Sequence, residues 1–201
     1  MLQSIDKKFI ISVLILLILS ISKSFGINLN EFNPDKGVIT LMYHRFNENK
    51  YPSTNIRNEI FLEHLDEINN SKFEFISFNK FNEIIKSKME KNYLLLTIDD
   101  GFESFYLNAW PVLKKRKIPF ILFVSTREVG KYGYMTWEQI KKLHDDGFEI
   151  GNHTRRHITV GRQTEEQLHA DVEYIEKQCE KHGIPKPVSF CYPAYQTTER
   201  A

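Results

Sequence analysis

Two carboxylates stand side by side in LLLTIDDG, residues 94–101, and two histidines stand four apart in HTRRH, residues 153–157. Both are residue types that take part in hydrolysis. Adjacent aspartates raise each other's cost of ionisation, which is useful where a cation is held or where one carboxyl must act as a base. Histidines at i and i+4 face one point when the segment is a helical turn. Two histidines with one carboxylate make a common ligand set for a catalytic zinc, leaving an open position for water. One aspartate of Asp99-Asp100 can then be the third ligand while its neighbour stays free as a base. Taken singly, each signal has a plainer explanation: an Asp-Gly turn after a strand, or a solvated histidine pair.

What positions these residues is a repeating order of elements. Val38 to Tyr43 reads as a strand ending at His44, followed by a helix with Phe61, Leu65 and Ile68 on one face. A short strand is expected near Phe75 to Ser77, then a helix capped by Asn79 and running to about Lys88. Tyr93 to Ile98 is a continuous apolar run, the pattern of a strand buried on both faces. Glu103 to Lys115 reads as a helix, with Pro111 a kink or boundary. Phe120 to Val124 is another buried strand. Thr136 with Gln139, and Thr164 with Gln167, are capping boxes that open two further helices. The first ends at Gly147; the second carries Leu168, Val172, Ile175 and Cys179 on one face, with Gly183 beyond it. Phe148 to Gly151 leads into the histidine pair, and Val188 to Tyr192 is the last expected strand. Alternating strands and helices imply parallel β-strands wrapped by helices, as an open sheet or a barrel. Function in both architectures gathers at the carboxyl ends of the strands. That rule brings His44, Asp99, Asp100, His153 and the segment around Pro193 to one face.

The remaining features bound the function. The 201 residues carry a formal net charge of +1, with both signs interspersed, so there is no electrostatic case for nucleic acid. Lys7 and Lys8 precede the apolar run Phe9 to Ile21, whose thirteen residues would span about 20 Å as a helix, short of a hydrocarbon core of about 30 Å. With small residues at Ser24 and Gly26, residues 1–26 read as a signal peptide and 27–36 as a linker, which implies export to the cell envelope or beyond. Contact with a membrane would come only through that segment, were it uncleaved. Cys179 and Cys191 read as two buried free thiols without zinc-ligand spacing and without chemistry. His64, His144, His169 and His182 fall in helices or at their ends and read as solvated.

The motifs carry a resemblance. Thr97-Ile98-Asp99-Asp100-Gly101 resembles the T-F-D-D-G motif of the polysaccharide deacetylase family, the one with the NodB homology domain. His153-Thr154-Arg155-Arg156-His157 resembles its H-S/T-x-x-H motif. The resemblance runs from about Gly37 to the C-terminus. It implies a distorted (β/α) barrel over residues 37–201, with further strand and helix units expected past Ala201. It also implies metal-dependent removal of acetyl groups from N-acetylated polysaccharide, with zinc the default ion for nitrogen and oxygen ligands. By that resemblance Asp99 is the general base, and Asp100, His153 and His157 are the metal ligands. Tyr192-Pro193-Ala194 stands where the family has its oxyanion and substrate segment, and the Ala194 N–H would be the donor. Cys191 stands where many relatives have arginine. Ile39 to His44 is similar to an I-x-L-x-H motif found at the other end of most relatives. Its position here resembles the permuted biofilm poly-N-acetylglucosamine deacetylases, which makes His44 the acid. Two other functions share these features: a truncated, non-catalytic sugar-binding or residual domain that keeps the metal site, and an esterase or other amide hydrolase on the same metal site. A base beside the ligands disfavours the first, since binding needs none.

Overall fold

The strands form where apolar residues run unbroken and the helices where they recur every three or four positions. The computed structural model describes residues 36–87 and 89–195, so the expected leader and nearly all of the linker lie outside the described residues. In chain order the strands are β1 (Val38–Tyr43), β2 (Arg45–Phe46), β3 (Asn55–Ile56), β4 (Phe73–Ile76), β5 (Asn92–Asp100), β6 (Ile121–Val124) and β7 (Glu149–Asn152). The α-helices are α1 (Asn58–Asn69), α2 (Phe78–Ile84), α3 (Trp110–Arg116), α4 (Trp137–Asp145) and α5 (Glu165–Lys181). The described residues fall into two compact units: those up to Met42 with Glu59–Leu96, and Tyr43–Asn58 with those from Thr97 onward.

In the first unit β4 pairs in parallel with the start of β5, Phe73 opposite Asn92 through Ile76 opposite Leu95. Phe61, Leu65 and Ile68 of α1 are buried, as their spacing predicts. The cap of α2 differs from expectation. Ser77, not Asn79, accepts the Lys80 N–H at 3.2 Å, and the helix ends at Ile84. Ser77 follows β4 directly and is already extended (φ −76°, ψ 166°), the backbone an N-cap needs.

The second unit contains the chemistry. Thr97 to Asp100 of β5 lie opposite Ile121 to Val124 of β6 in parallel, and β6 continues the pattern onto β7, with Val124 opposite Asn152. Within this unit the order is β5-β6-β7; among the described residues these strands form an open sheet, not a closed barrel. All four β6 residues and Leu94 to Asp99 of β5 are buried, the mark of strands covered on both faces. Each such aliphatic side chain contributes about 1.5–3 kcal/mol. Both capping boxes form, at Thr136 with Gln139 and at Thr164 with Gln167.

Three details correct the sequence reading. The helix expected from Glu103 opens through a π-helical stretch, Phe105–Ala109, before α3. The Trp110 N–H reaches back five residues to Phe105 O. Pro111, next in line, has no N–H for Leu107 and its ring would strike that carbonyl, so widening the turn avoids the clash. The apolar stripe of α5 is buried at Ile175 and Cys179, but Leu168 and Val172 are only half-buried and Asp171 takes the inner position. Finally, Val188 to Tyr192 is not a strand. It makes a single bridge, Phe190 to Asn152, through Asn152 N–H to Ser189 O and Cys191 N–H to Asn152 O. Pro187 and Pro193 bracket the segment without N–H groups to extend the ladder.

One close approach fixes β7 against β6. A Cβ on Gly151 would overlap the Phe123 ring and lie 2.7 Å from Ser189 Oγ. Gly151→Ala is therefore expected to destabilise the fold by about 1–3 kcal/mol, read as a lower urea midpoint at unchanged slope. A midpoint equal to wild type would show that Phe123 yields freely.

Candidate active site

Asp99 and Asp100 close β5 in different environments. Asp99 is 2% exposed. Asp100 leaves the extended conformation with φ +73°, and Gly101 follows at +85°, turning the chain sharply. That turn is pinned by Met135 N–H to Gly101 O at 2.9 Å. Because Asp100 is not extended, the usual alternation of faces along a strand no longer separates the two carboxylates. Both reach His153.

The histidines converge, but not as expected. Residues 153–157 form a loop rather than a helical turn, with Thr154 at φ +62° and His157 at φ +53°. The loop is held by its own polar groups. Asn152 Oδ1 accepts the Thr154 N–H at 2.9 Å, and Thr154 Oγ1 accepts the His157 N–H at 3.1 Å. Ser125 donates to Thr154 O, and the Arg127 N–H donates to Arg155 O. Such conformations in non-glycine residues cost roughly 1–3 kcal/mol each and persist where surrounding bonds dictate them.

Asp171 completes this support. It is 2% exposed, and Arg156 Nε donates to both of its oxygens, at 2.9 and 3.1 Å, while Arg156 also donates to Gln163. Gln163 returns a bond to Ile158 O. The sequence reading missed Asp171, although its spacing from Ile175 and Cys179 puts an acid on the buried stripe, a position that requires a partner.

The orientation of His153 follows from one contact. Its Nδ1 lies 2.8 Å from Cys191 O. A carbonyl can only accept, so Nδ1 carries a proton, and Nε2 is the nitrogen turned toward Asp100. That Nε2 lies 3.5 Å from Asp100 Oδ1, and His157 Nε2 lies 3.1 Å from the same oxygen. Burial by itself would raise the Asp100 pKa, but the contacts with His153 and His157 hold its carboxyl well below the usual carboxylate range. Asp99 moves the opposite way. Its burial raises its pKa, against the opposing pull of His153 and His44. Two neighbouring carboxyls with divergent affinities for a proton are suited to different tasks.

Asp100, His153 and His157 each offer a ligand atom within 4.8 Å of the others. A tetrahedral ion with bonds of about 2.0–2.3 Å separates its ligands by roughly 3.3–3.8 Å. The 3.1 and 3.5 Å contacts are close to that spacing, and both converge on one buried oxygen, Asp100 Oδ1. These residues fit a divalent cation.

The other sequence candidates lie nearby. His44 sits half-buried between β1 and β2, near enough for both aspartates to feel its charge. In the last described segment Tyr192 is 37% exposed, Pro193 is buried, and Ala194 is held at φ +59°. Cys191 departs from expectation. Its thiol is free but only partly buried, and it donates to Asp99 Oδ2 at 3.5 Å, so it belongs to the site. His182 is not simply solvated either: its ring stacks on Trp137 with centroids 4.7 Å apart.

A solved structure of IcaB from Ammonifex degensii superposes with a TM-score of 0.72 at 28% identity, covering 82% of this chain and 77% of that one. The poly-beta-1,6-N-acetyl-D-glucosamine N-deacetylase of Staphylococcus aureus strain MRSA252 is 26% identical over 134 residues, 60% of this chain and 44% of its own length. The Bacillus subtilis protein YxkH is 27% identical over 112 residues, 56% of this chain and 40% of its own. The chain thus spans less than half the length of these two curated relatives. The profile of the family described as polysaccharide deacetylase matches residues 86–201, more than half of the chain and the whole of both motifs. The chain belongs to the polysaccharide deacetylase family.

Proposed function

We propose that this chain is a metal-dependent hydrolase that removes N-acetyl groups from polysaccharide containing N-acetylglucosamine. The observation that carries this reading is the convergence of Asp100, His153 and His157 on one point, with the buried Asp99 carboxyl directly adjacent. The similarity to a protein named for N-deacetylation of poly-N-acetylglucosamine supports the substrate class. An exported enzyme would meet such a polymer, which agrees with the basic and apolar leader in the sequence.

In this reading Asp100, His153 and His157 hold a divalent cation, zinc by default. When bound, the cation supplies Lewis acidity, lowering the pKa of water and polarising the amide carbonyl. Asp99 takes the proton of the attacking water, a contribution of roughly 10²–10⁴-fold. Its burial suits this role, because a base with a raised pKa binds that proton more firmly. The Ala194 N–H donates to the developing oxyanion, and the exposed Tyr192 ring flanks the sugar. His44 protonates the departing amine.

These roles separate experimentally. Acetate release from N-acetylglucosamine oligomers is expected from the wild type. Asp99→Asn should lower it at least about 10²-fold while bound zinc stays at the wild-type level. His153→Ala should lose both zinc and acetate release. Zinc lost from Asp99→Asn but kept in Asp100→Asn would reverse the two aspartates.

His44→Ala tests the acid. A general acid works protonated, so activity falls as pH rises through its pKa. The variant should retain zinc, turn over roughly 10²-fold more slowly, and lack that basic limb. An unchanged pH profile and turnover would place the acid elsewhere.

A further inference from the structure

Cys191 does more than occupy a position beside the base. Its Sγ lies 3.5 Å from Asp99 Oδ2. Asp99, His153 and Cys191 each offer a ligand atom within 4.8 Å of the other two. Asp99 and His153 are both 2% exposed, and Asp99 Oδ1 is a buried oxygen with no hydrogen-bond partner. We propose that Asp99, His153 and Cys191 form a second cation seat, specific for thiophilic ions, that competes with the seat on Asp100, His153 and His157.

The donor set argues for this. A thiolate beside an imidazole and a carboxylate favours ions softer than zinc, whereas the set on Asp100, with only nitrogen and oxygen, is the seat for zinc. The sulfur-to-oxygen distance of 3.5 Å falls within the roughly 3.3–3.8 Å that a tetrahedral ion imposes on its ligands. A hydrogen bond already spans this gap, with one proton between Sγ and Asp99. An incoming cation takes the place of that proton, which leaves to solvent as the metal–thiolate bond forms.

The two seats hold one ion between them. A neutral imidazole has a single free nitrogen lone pair, so His153 ligates one cation at a time. An ion on Cys191 also engages Asp99. If Asp99 is the base, as proposed above, such an ion blocks deacetylation; the existence of the seat does not depend on that reading.

Cobalt(II) provides the test, because a thiolate ligand adds a near-ultraviolet charge-transfer band that nitrogen and oxygen ligands lack. His157→Ala disables the first seat, and its side chain is 39% exposed, so the fold should tolerate the change. Titration of the His157→Ala protein with cobalt(II) is expected to produce the thiolate band, and adding Cys191→Ser should remove it. Asp100→Asn, a change of one atom type, should behave like His157→Ala if the latter folds poorly. Absence of the band in both single variants, or its survival after Cys191→Ser, would overturn the proposal. Acetate release plays no part in this readout, so its outcome and that of the deacetylase reading are distinguishable.

Discussion

Placing two carboxylates next to each other at the end of a buried strand is the constraint on which the rest of the site depends. Left in an apolar interior the pair would be costly, since burial and mutual repulsion both oppose ionisation. The surrounding residues resolve this by treating the two differently. Asp100 turns out of the strand at φ +73° and meets two imidazoles, which favour its charged form. Asp99 stays inside, faces a thiol, and keeps a higher affinity for a proton. A cation on the Asp100 side would further offset the repulsion while leaving Asp99 available.

Holding that arrangement requires an unusual backbone. Asp100, Thr154, His157 and Ala194 are all non-glycine residues at positive φ, and all belong to the site or its adjoining loops. The strain is sustained by a shell of polar contacts: Asn152 and Thr154 bond within the loop, and Arg156 reaches the buried Asp171 of α5. The histidines are thus held in place by hydrogen bonds and ion pairs of the fold itself. Cys191 joins the two halves, accepting from His153 through its carbonyl and donating to Asp99 through its thiol.

Much of this was legible in the sequence because the signals were local and redundant. An unbroken apolar run ending in Asp-Asp-Gly gives β5 and its turn, and both capping boxes form at the threonines and glutamines that specify them. What was hidden depends on contacts across the fold. The spacing of His153 and His157 suggested a helical turn, yet their convergence comes from a loop held by Asn152 and Ser125, which no periodicity reports. Cys191 looked inert because its partner, Asp99, is ninety-two positions away. Val188 to Tyr192 has the alternation of a strand, but the flanking prolines limit it to one bridge. Asp171 was concealed by reading α5 for its apolar residues alone.

The central claim is that, of the pair, Asp100 holds zinc and Asp99 does not. Anomalous diffraction at the zinc edge, from crystals grown with one equivalent of zinc, tests it most directly. The account predicts a single strong peak within bonding distance of one Asp100 oxygen, His153 Nε2 and His157 Nε2, about 2.0–2.2 Å from each, with Asp99 unligated. A peak bonded to Asp99 in place of Asp100, or no peak at these residues, would contradict it.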